Sequence, residues 1–323
     1  TAAGGFQEKE VQARVVINAT GPWSDEIRAG VNAPARLRKL RGSHLVFSRQ
    51  RLNLPYAVTL LHPRDRRAMF AIPWEGVSLI GTTDLDHSLP LSRGEPYTTQ
   101  EEIDYILEAA NATFPGLQLD RADIISTFSG LRPVVNTGQS DPSKESRAHV
   151  VWEENGLVTI TGGKYTTFRI MAEDALRAAM PALPHPANLS RPKPYFSPLP
   201  TRSSPQGVAA ETWLYLLGRY GNETIQLFEN AEEGENQPVG SLPNLWSEVR
   251  WAARCGAVEH LDDLLLRRVR LGLLLPHGAQ EEMARVREIV QPELGWDDAR
   301  WQAEFTRYVE LYKKAYSPSP AGF

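Results

Sequence analysis

The segment LVTITGGKYTTF, at residues 157–168, decides the fold class of this 323-residue chain. Residues Leu157–Thr161 are apolar or β-branched without interruption, which predicts a buried strand. Gly162 and Gly163 then form a turn, and a helix is predicted from Thr166 to about Ala179. Strand, glycine turn and helix in this order are typical of a nucleotide-binding α/β layer.

The same order of elements occurs near the start of the chain. Residues Val11–Ala19 alternate and then become uniformly apolar, which predicts a strand entering a buried sheet. Thr20 and Gly21 form the turn, and Ser24 is a suitable N-cap for a short helix over Asp25–Ala29. The two segments, distant in sequence, are therefore expected to build one α/β layer.

Between these segments the sequence predicts a different sheet. Four strands follow one another without helices, at His44–Phe47, Ala57–Leu61, Ala68–Pro73 and Val77–Gly81. Such a succession indicates antiparallel pairing. A helix from Thr99 to Phe114, capped by Thr99, and a strand over Asp123–Ser129 come next. In the later helix of the α/β layer, Phe168, Met171 and Leu176 are expected on the buried side.

Prolines mark the boundary to a helical region. About a third of the chain's 24 prolines lie between Pro181 and Pro205, and beyond them the sequence predicts helix after helix. The predicted domains are a first piece of the α/β layer (1–35), an antiparallel-sheet domain (36–148), the returning strand and helix (149–182), a proline-rich linker (183–206) and a helical domain (207–323).

Composition narrows the class of protein. A net charge of −4 with 41% hydrophobic residues is ordinary for a globular protein and gives no sign of nucleic-acid binding. The single cysteine, Cys255, excludes an internal disulfide and is expected to be buried. No cysteine–histidine cluster has metal-binding spacing, so no metal site is predicted. No apolar run approaches the ~20 residues of a membrane span, so membrane contact would be peripheral.

Three glycine turns follow apolar strands, at Thr20–Gly21, Gly81–Asp84 and Gly162–Lys164. Glycine lets a backbone approach a flat ring or a phosphate closely. One such turn would more often be an ordinary turn of an α/β fold. Three together, two of them with paired threonines, favour a cofactor site.

Three cationic side chains are candidates for binding an anion. Arg132 follows a strand, and a guanidinium matches a phosphate or carboxylate in two-point geometry. A surface arginine paired with Asp123 or Glu145 is the equally acceptable alternative. Arg147 is open to the same two interpretations. Lys164 follows a glycine pair at a strand end, where it would face either a ligand or solvent.

His44 enters a strand and is the candidate base. If it faces a pocket, its near-neutral titration suits the removal of a hydroxyl proton, although a lone histidine is more often a structural group. His62, His87 and His149 are interpreted as structural.

Six motifs carry a resemblance to a known family: Val16–Trp23, Lys39–His44, Ile72–Trp74, Ile80–Asp84, Ser129–Pro133 and Gly162–Arg169. In this order they resemble the FAD-dependent, respiratory-chain glycerol-3-phosphate dehydrogenases, over essentially the whole chain. The resemblance implies a truncated FAD-binding Rossmann-like layer, an antiparallel β substrate domain and an all-α C-terminal domain.

The resemblance also implies an activity. sn-Glycerol 3-phosphate would be oxidised to dihydroxyacetone phosphate, with hydride passing to FAD and electrons to a membrane quinone. The protein would be peripheral, on the cytoplasmic side of the inner membrane, and a homodimer stays open. An oxidase that uses oxygen is an alternative, as is a non-catalytic docking role for the helical domain.

Site residues follow from the matched motifs. Arg132 and Lys164 match positions that face the substrate near the flavin, and Arg147 matches a phosphate-binding arginine. His44 matches the pocket histidine, although Arg132 also contacts the reacting end in the family, so the base stays open. The residues expected to line FAD are Thr20, Gly21, Gly162, Gly163, Lys164 and Thr166.

One family motif does not occur in this sequence. Family members begin with a strand, a Gly-x-Gly-x-x-Gly turn and a helix that hold the FAD pyrophosphate. The opening residues Thr1–Gly5, followed by an alternating segment, are instead expected to belong to the middle of a fold. We therefore expect these 323 residues by themselves to bind FAD weakly or not at all and to be inactive, and the activity to belong to the full-length protein.

Overall fold

The computed structural model describes residues 10–185, 198, 203–205, 207–320 and 322. Much of the predicted proline-rich linker therefore lies outside the described residues, as does the opening of the chain. The described residues form two compact units, each discontinuous in sequence. The first unit contains residues 10–40, 85–91 and 131–185, and the second contains 41–84, 92–130 and the described residues from 198 onward.

Strands precede most of the helices in the described part of the chain. The strands are β1 (Val16–Asn18), β2 (Leu37–Ser48), β3 (Val58–Leu61), β4 (Ala68–Trp74), β5 (Val77–Gly81), β6 (Leu85–Asp86), β7 (Ile124–Val135), β8 (Val150–Glu154) and β9 (Leu157–Thr161). The α-helices are α1 (Ser24–Ala29), α2 (Gln100–Thr113), α3 (Phe168–Ala179), α4 (Ala210–Tyr220), α5 (Glu223–Glu229), α6 (Trp246–Cys255), α7 (Leu271–Leu274), α8 (Met283–Leu294) and α9 (Asp298–Leu311).

The first unit is built on a three-stranded sheet in the order β1-β9-β8. Strands β1 and β9 are parallel, with Asn18 opposite Thr159, and β8 is antiparallel to β9. The buried side-chain amide of Asn18 donates to the carbonyl oxygen of Ser24 at 3.0 Å and to Thr159 Oγ1 at 3.2 Å. These two bonds join β1 to α1 and to β9. The predicted α/β layer from two distant segments is confirmed, and every residue of β9 is buried as expected.

The buried faces of this layer differ from the prediction. Phe168 and Leu176 are 38% and 37% exposed, whereas Ala175 and Ala179 are buried. Helix α3 packs on β9. Its small buried residues allow close approach, Met171 is half-buried, and Phe168 and Leu176 stay exposed. On β1, Val16 is likewise 51% exposed, where a strand entering a buried sheet was expected.

Strand β8 is absent from the sequence prediction. It forms a hairpin with β9 through Asn155 and Gly156, whose φ angles are 50° and 83°. An Asn-Gly pair with two positive φ angles is the preferred two-residue hairpin turn. This dipeptide is the sequence signal from which β8 could have been predicted.

The second unit contains the predicted antiparallel sheet. Its strands lie in the order β3-β4-β5-β2, and β7 pairs with β2. One face packs on α2, where Leu45 and Ile80 meet Ile103, and the other face packs on the C-terminal helices, where Val46 joins their cluster. The predicted helix is confirmed as α2, with Thr99 in a capping box.

Charged residues also connect the sheet and the C-terminal helices within the second unit. Glu75, in the turn between β4 and β5, forms ion pairs with Arg219 of α4 and with Arg270. Cys255, expected to be buried, is exposed at the end of α6. Within the described ranges, no helix is both long and apolar enough to cross a membrane.

Candidate active site

Two glycine turns lie at one edge of the three-stranded sheet. Thr20 and Gly21 follow β1, and Gly162 and Gly163 follow β9. Because β1 and β9 are parallel and in register, both turns leave the sheet at its carboxyl edge, where α/β folds bind ligands. The three glycines have φ angles of 60°, 75° and 73°, which favour glycine. A Cβ atom on Gly21 would meet nothing within 4 Å, so the backbone there borders open space.

A cleft of about 380 Å³ lies beside the second of these turns. It is lined by Arg147, Ala148, His149, Gly163, Lys164 and Thr167. The β8–β9 hairpin brings the two sides together, because Val150 at the start of β8 lies opposite Thr161 at the end of β9. Of the predicted site residues, this cleft thus unites Arg147, Gly163 and Lys164.

The turn that carries Lys164 is tightly packed. A Cβ atom on Gly162 would lie 2.7 Å from the carbonyl oxygen of Ala148, and one on Gly163 would lie 2.4 Å from Met171 Sδ. The hydroxyl of Thr167 accepts from the Lys164 amide (3.1 Å) and donates to the Lys164 carbonyl (2.9 Å). The backbone of Lys164 is thus fixed by Thr167 and by the close packing of the two glycines before it, whereas Lys164 as a whole is exposed. Thr166, next in the predicted set, is exposed in the same turn.

His149 is a cleft residue that the sequence prediction assigned a structural role. Its Nε2 lies 2.8 Å from Asp174 Oδ2, and Asp174 Oδ1 accepts from Arg177 at 2.7 Å. The hydrogen bond from His149 is the main reason why the pKa of Asp174 is lowered. His149 and Asp174 are 25 residues apart in sequence, and no periodic pattern links a loop histidine to a helix carboxylate at that distance.

His44 was predicted to begin a strand. It lies within β2 in the second unit, opposite Gly81 of β5. Its ring stacks on Phe128, with centroids 4.6 Å apart. A Cβ atom on Gly81 would lie 2.3 Å from His44 Cδ2, so only glycine leaves room for the imidazole. The third glycine turn, Gly81–Asp84, therefore supports the histidine in the second unit.

A buried carboxylate fixes the backbone around His44. Glu102, 1% exposed, accepts from Ser43 Oγ at 2.8 Å and from Thr83 Oγ1 at 2.7 Å. Its second oxygen pairs with Arg41 at 2.8 Å. Because Ser43 precedes His44 on β2 and Thr83 lies two residues after Gly81 of β5, this network orders the strand that carries the histidine and the strand opposite it.

Arg132 lies half-buried on β7, in the part that belongs to the first unit. The two carboxylates considered as its surface partners have other cationic partners in the structure. Asp123 pairs with Arg51 at 2.5 Å, and Glu145 pairs with Arg38 at 3.3 Å. Among the residues that the structure describes, no group of histidine, cysteine or acidic side chains has an arrangement suited to a metal ion.

Two family models match the chain. Residues 1–169 match the model described as FAD dependent oxidoreductase, and residues 158–301 match the C-terminal domain of alpha-glycerophosphate oxidase. The chain is also similar to the glycerol-3-phosphate dehydrogenase from Bacillus halodurans, solved in complex with FAD, with a TM-score of 0.70 and 24% identity over 97% of this chain and 64% of that one. The predicted fold class, α/β plus α with a helical C-terminal domain, is confirmed.

Curated relatives carry the same name. Glycerol-3-phosphate dehydrogenase 2 of Mycobacterium tuberculosis is 36% identical over 317 residues, which are 93% of this chain and 53% of that protein. The human mitochondrial glycerol-3-phosphate dehydrogenase is 33% identical over 338 residues, which are 96% of this chain and 45% of that protein. The chain thus spans about half the length of these relatives. It belongs to the FAD dependent oxidoreductases, and within that family it resembles the glycerol-3-phosphate dehydrogenases.

Proposed function

We propose that the full-length protein oxidises sn-glycerol 3-phosphate to dihydroxyacetone phosphate with FAD. The observation that carries the proposal is the cleft in which Arg147 and Lys164 lie together beside the Gly162–Gly163 turn. Two cations at the carboxyl edge of an α/β sheet suit a phosphate ester. The names of the similar dehydrogenases agree with this choice of substrate.

The carboxyl edge of the first unit also fits a flavin. The turns at Gly21 and Gly162 have the positive φ angles that bring backbone amides close to a ring, and the space above Gly21 is open. The residues proposed to line FAD are Thr20, Gly21, Gly162, Gly163, Lys164 and Thr166. When bound, FAD would supply the acceptor for the hydride that leaves C2 of the substrate.

Each polar residue has a separate proposed task. Arg147 binds the phosphate, because its guanidinium offers two parallel donors. Lys164 and Arg132 face the substrate and balance its negative charge. His44 takes the proton of the C2 hydroxyl on an imidazole nitrogen, and the Glu102 network keeps its strand in place. Arg132 is the alternative group at the reacting end.

We further propose a division of the chain by role. Residues 1–35 and 149–182 bind FAD, residues 36–148 bind the substrate, residues 183–206 form a linker, and residues 207–323 form a helical domain that is a candidate for contact in a homodimer.

A membrane quinone would take the electrons, and the protein would be peripheral on the cytoplasmic side of the inner membrane. Oxygen is the second candidate acceptor, because residues 158–301 match the C-terminal domain of an oxidase. Peroxide formation by the full-length protein with substrate would favour the oxidase over quinone reduction.

The test of this function is an assay of the full-length protein with glycerol 3-phosphate and an artificial electron acceptor. We expect Arg147→Ala and Arg132→Ala each to lower kcat/KM by an amount equivalent to about 2–4 kcal/mol, since each removes charge-assisted hydrogen bonds to the substrate. The matched control is Arg64→Ala, because Arg64 is 66% exposed and pairs with Glu108 in the second unit. Kinetics that are unchanged in Arg147→Ala would overturn the assignment of the cleft to the phosphate.

A further inference from the structure

We propose that His149 and Asp174 act as a positioning pair that sets the spacing of Arg147 and Lys164 in the cleft. The inference rests on the proposed function, because it concerns how the two cations are placed for a phosphate ester. Neither residue belongs to the set that the sequence motifs identified.

The pair joins the two elements that flank the cleft. His149 comes two residues after Arg147 and directly before β8, whereas Asp174 lies in the middle of α3. The contact of 2.8 Å between His149 Nε2 and Asp174 Oδ2 therefore ties the Arg147 loop to α3. Asp174 is itself fixed by Arg177, which donates to the other carboxylate oxygen at 2.7 Å.

The turn that presents Lys164 passes between these two elements. A Cβ atom on Gly163 would lie 2.4 Å from Met171 Sδ of α3 and 3.2 Å from His149 Cβ. With no side chain of its own, Gly163 leaves room for both His149 and Met171 of α3 next to the backbone of the turn. A movement of His149 would thus move the backbone immediately before Lys164.

Thr167, the residue directly before α3, also holds this turn. Thr167 Oγ1 accepts from the Lys164 amide at 3.1 Å, donates to the Lys164 carbonyl, and contacts Met171 Sδ at 3.6 Å. Arg147 is thus coupled through His149 to α3, and Lys164 is coupled to α3 through Thr167. The His149–Asp174 bond closes this loop of contacts.

The electrostatics suit a lasting contact. The hydrogen bond from His149, followed by that from Arg177, lowers the pKa of Asp174, so the carboxylate is ionised over the working range of pH. A carboxylate on one ring nitrogen fixes the orientation of an imidazole, as it does around many metal-binding and catalytic histidines. His149 is a positioning residue in this scheme, because its effect on the substrate passes through Arg147 and Lys164.

The test uses the full-length, FAD-loaded protein with His149→Ala, Asp174→Ala and the double variant. We expect each single variant to raise KM for glycerol 3-phosphate by about 5- to 30-fold, less than the loss of a charge-assisted hydrogen bond made directly to the substrate would cause, and to leave kcat within about twofold. The double variant should be no worse than either single one, because both remove the same bond. Asp174→Asn, which keeps an acceptor for the imidazole, should recover most of the affinity.

Binding of inorganic phosphate, followed by calorimetry, gives a readout that does not depend on turnover. Its Kd should weaken in parallel with KM in His149→Ala and Asp174→Ala. The chain offers a matched control in His260→Ala, because His260 also contacts a carboxylate, Glu304, at 3.0 Å, but in the helical part of the second unit. This variant should leave both KM and the phosphate Kd unchanged.

Two results separate the positioning pair from the function on which it rests. If Arg147→Ala weakens phosphate binding but His149→Ala and Asp174→Ala do not, or if their effects simply add, the pair has no positioning role. If Arg147→Ala itself leaves phosphate binding and KM unchanged, the proposed function fails, whatever the His149 variants do. If His149→Ala and His260→Ala lower Tm equally and neither changes KM, the bond between His149 and Asp174 stabilises the fold only, and the proposed positioning role is wrong.

Discussion

The two units of this molecule are stabilised in different ways. Both hydrophobic clusters of the described residues lie in the second unit, around its sheet, α2 and the C-terminal helices. In the first unit the largest fully buried side chain is that of Arg28, while Val16, Trp23 and Ile170 are each about half exposed. The unit that carries the cleft thus combines the buried strand β9 with a fully buried arginine, whereas the other unit contains the two large apolar clusters.

Arg28 is the centre of the ion pairs in the first unit. It donates to both carboxylate oxygens of Glu154 on β8, at 2.8 and 2.9 Å, and to Asp25 at 2.5 Å. Its guanidinium also lies 4.5 Å from the ring centroid of Trp152. Through these contacts α1, which follows the Gly21 turn, is attached to the same hairpin that presents the cleft.

The largest effect on stability should come from a cavity in the second unit. Leu265→Ala removes a fully buried side chain from the cluster that joins the sheet to the C-terminal helices. We expect a loss of about 2–5 kcal/mol that changes little with salt, because apolar burial is not screened. Hydrogen exchange of the full chain measures it, with protection falling in the second unit. An equal fall in the first unit would contradict the separation of the two kinds of stabilisation.

A smaller effect is expected from Arg28→Met, located in the first unit. Glu154 and Asp25, whose side chains are 15% and 14% exposed, would lose their main cationic partner. A loss of about 2–3 kcal/mol follows, toward the low end for breaking a buried ion pair because both carboxylates keep some water. Hydrogen exchange in α1 and β8 measures it.

The matched control for Arg28→Met is the double variant Arg28→Met/Glu154→Leu. Replacing both partners by apolar residues removes the unpaired carboxylate of Glu154, so much of the lost stability should return. If the double variant is as unstable as Arg28→Met, stacking of Arg28 on Trp152 rather than charge pairing holds the first unit together.

Local patterns made much of the fold predictable. The short, mainly apolar runs of β5 and β9 and the Thr99–Glu102 capping box of α2 are signals contained within a few residues. The exposed faces of α3 were mispredicted because residue size, not apolar periodicity, decides which side can lie close to the sheet. Ala175 and Ala179 pack there, and Phe168 does not.

The candidate site was predictable to the extent that its residues follow motifs. Arg147 and Lys164 were identified from the sequence, and the structure places both at one cleft. His149 and Asp174 were missed because a contact between a loop and a helix depends on how the hairpin returns beside α3. The Asn155–Gly156 turn, which sets that return, is the one local signal that bears on it.

The smallest expected effect concerns a charged exception to the apolar packing of the second unit. Glu248 of α6 accepts from Tyr220 at 2.9 Å and from the Leu245 amide at 2.7 Å. Burial outweighs these bonds and the attraction of Arg219, and raises the pKa of Glu248 from 4.5 to about 7. A carboxyl with a raised pKa in the folded state stabilises the fold when protonated, and this stabilisation is lost as pH rises through the folded-state pKa.

We therefore expect the unfolding free energy of the wild type, relative to Glu248→Gln, to fall by on the order of 1–2 kcal/mol between about pH 5 and pH 6.5. Urea unfolding at the two pH values, with hydrogen exchange in α4 and α6 to locate the change, measures this difference. The matched control is Glu233→Gln, because Glu233 is exposed in the same unit. A difference that stays constant with pH would mean that Glu248 is ionised in the fold, held by Arg219 (3.8 Å) and Tyr220. The second unit would then contain a further buried charge beside Glu102, and its contrast with the first unit would be one of degree.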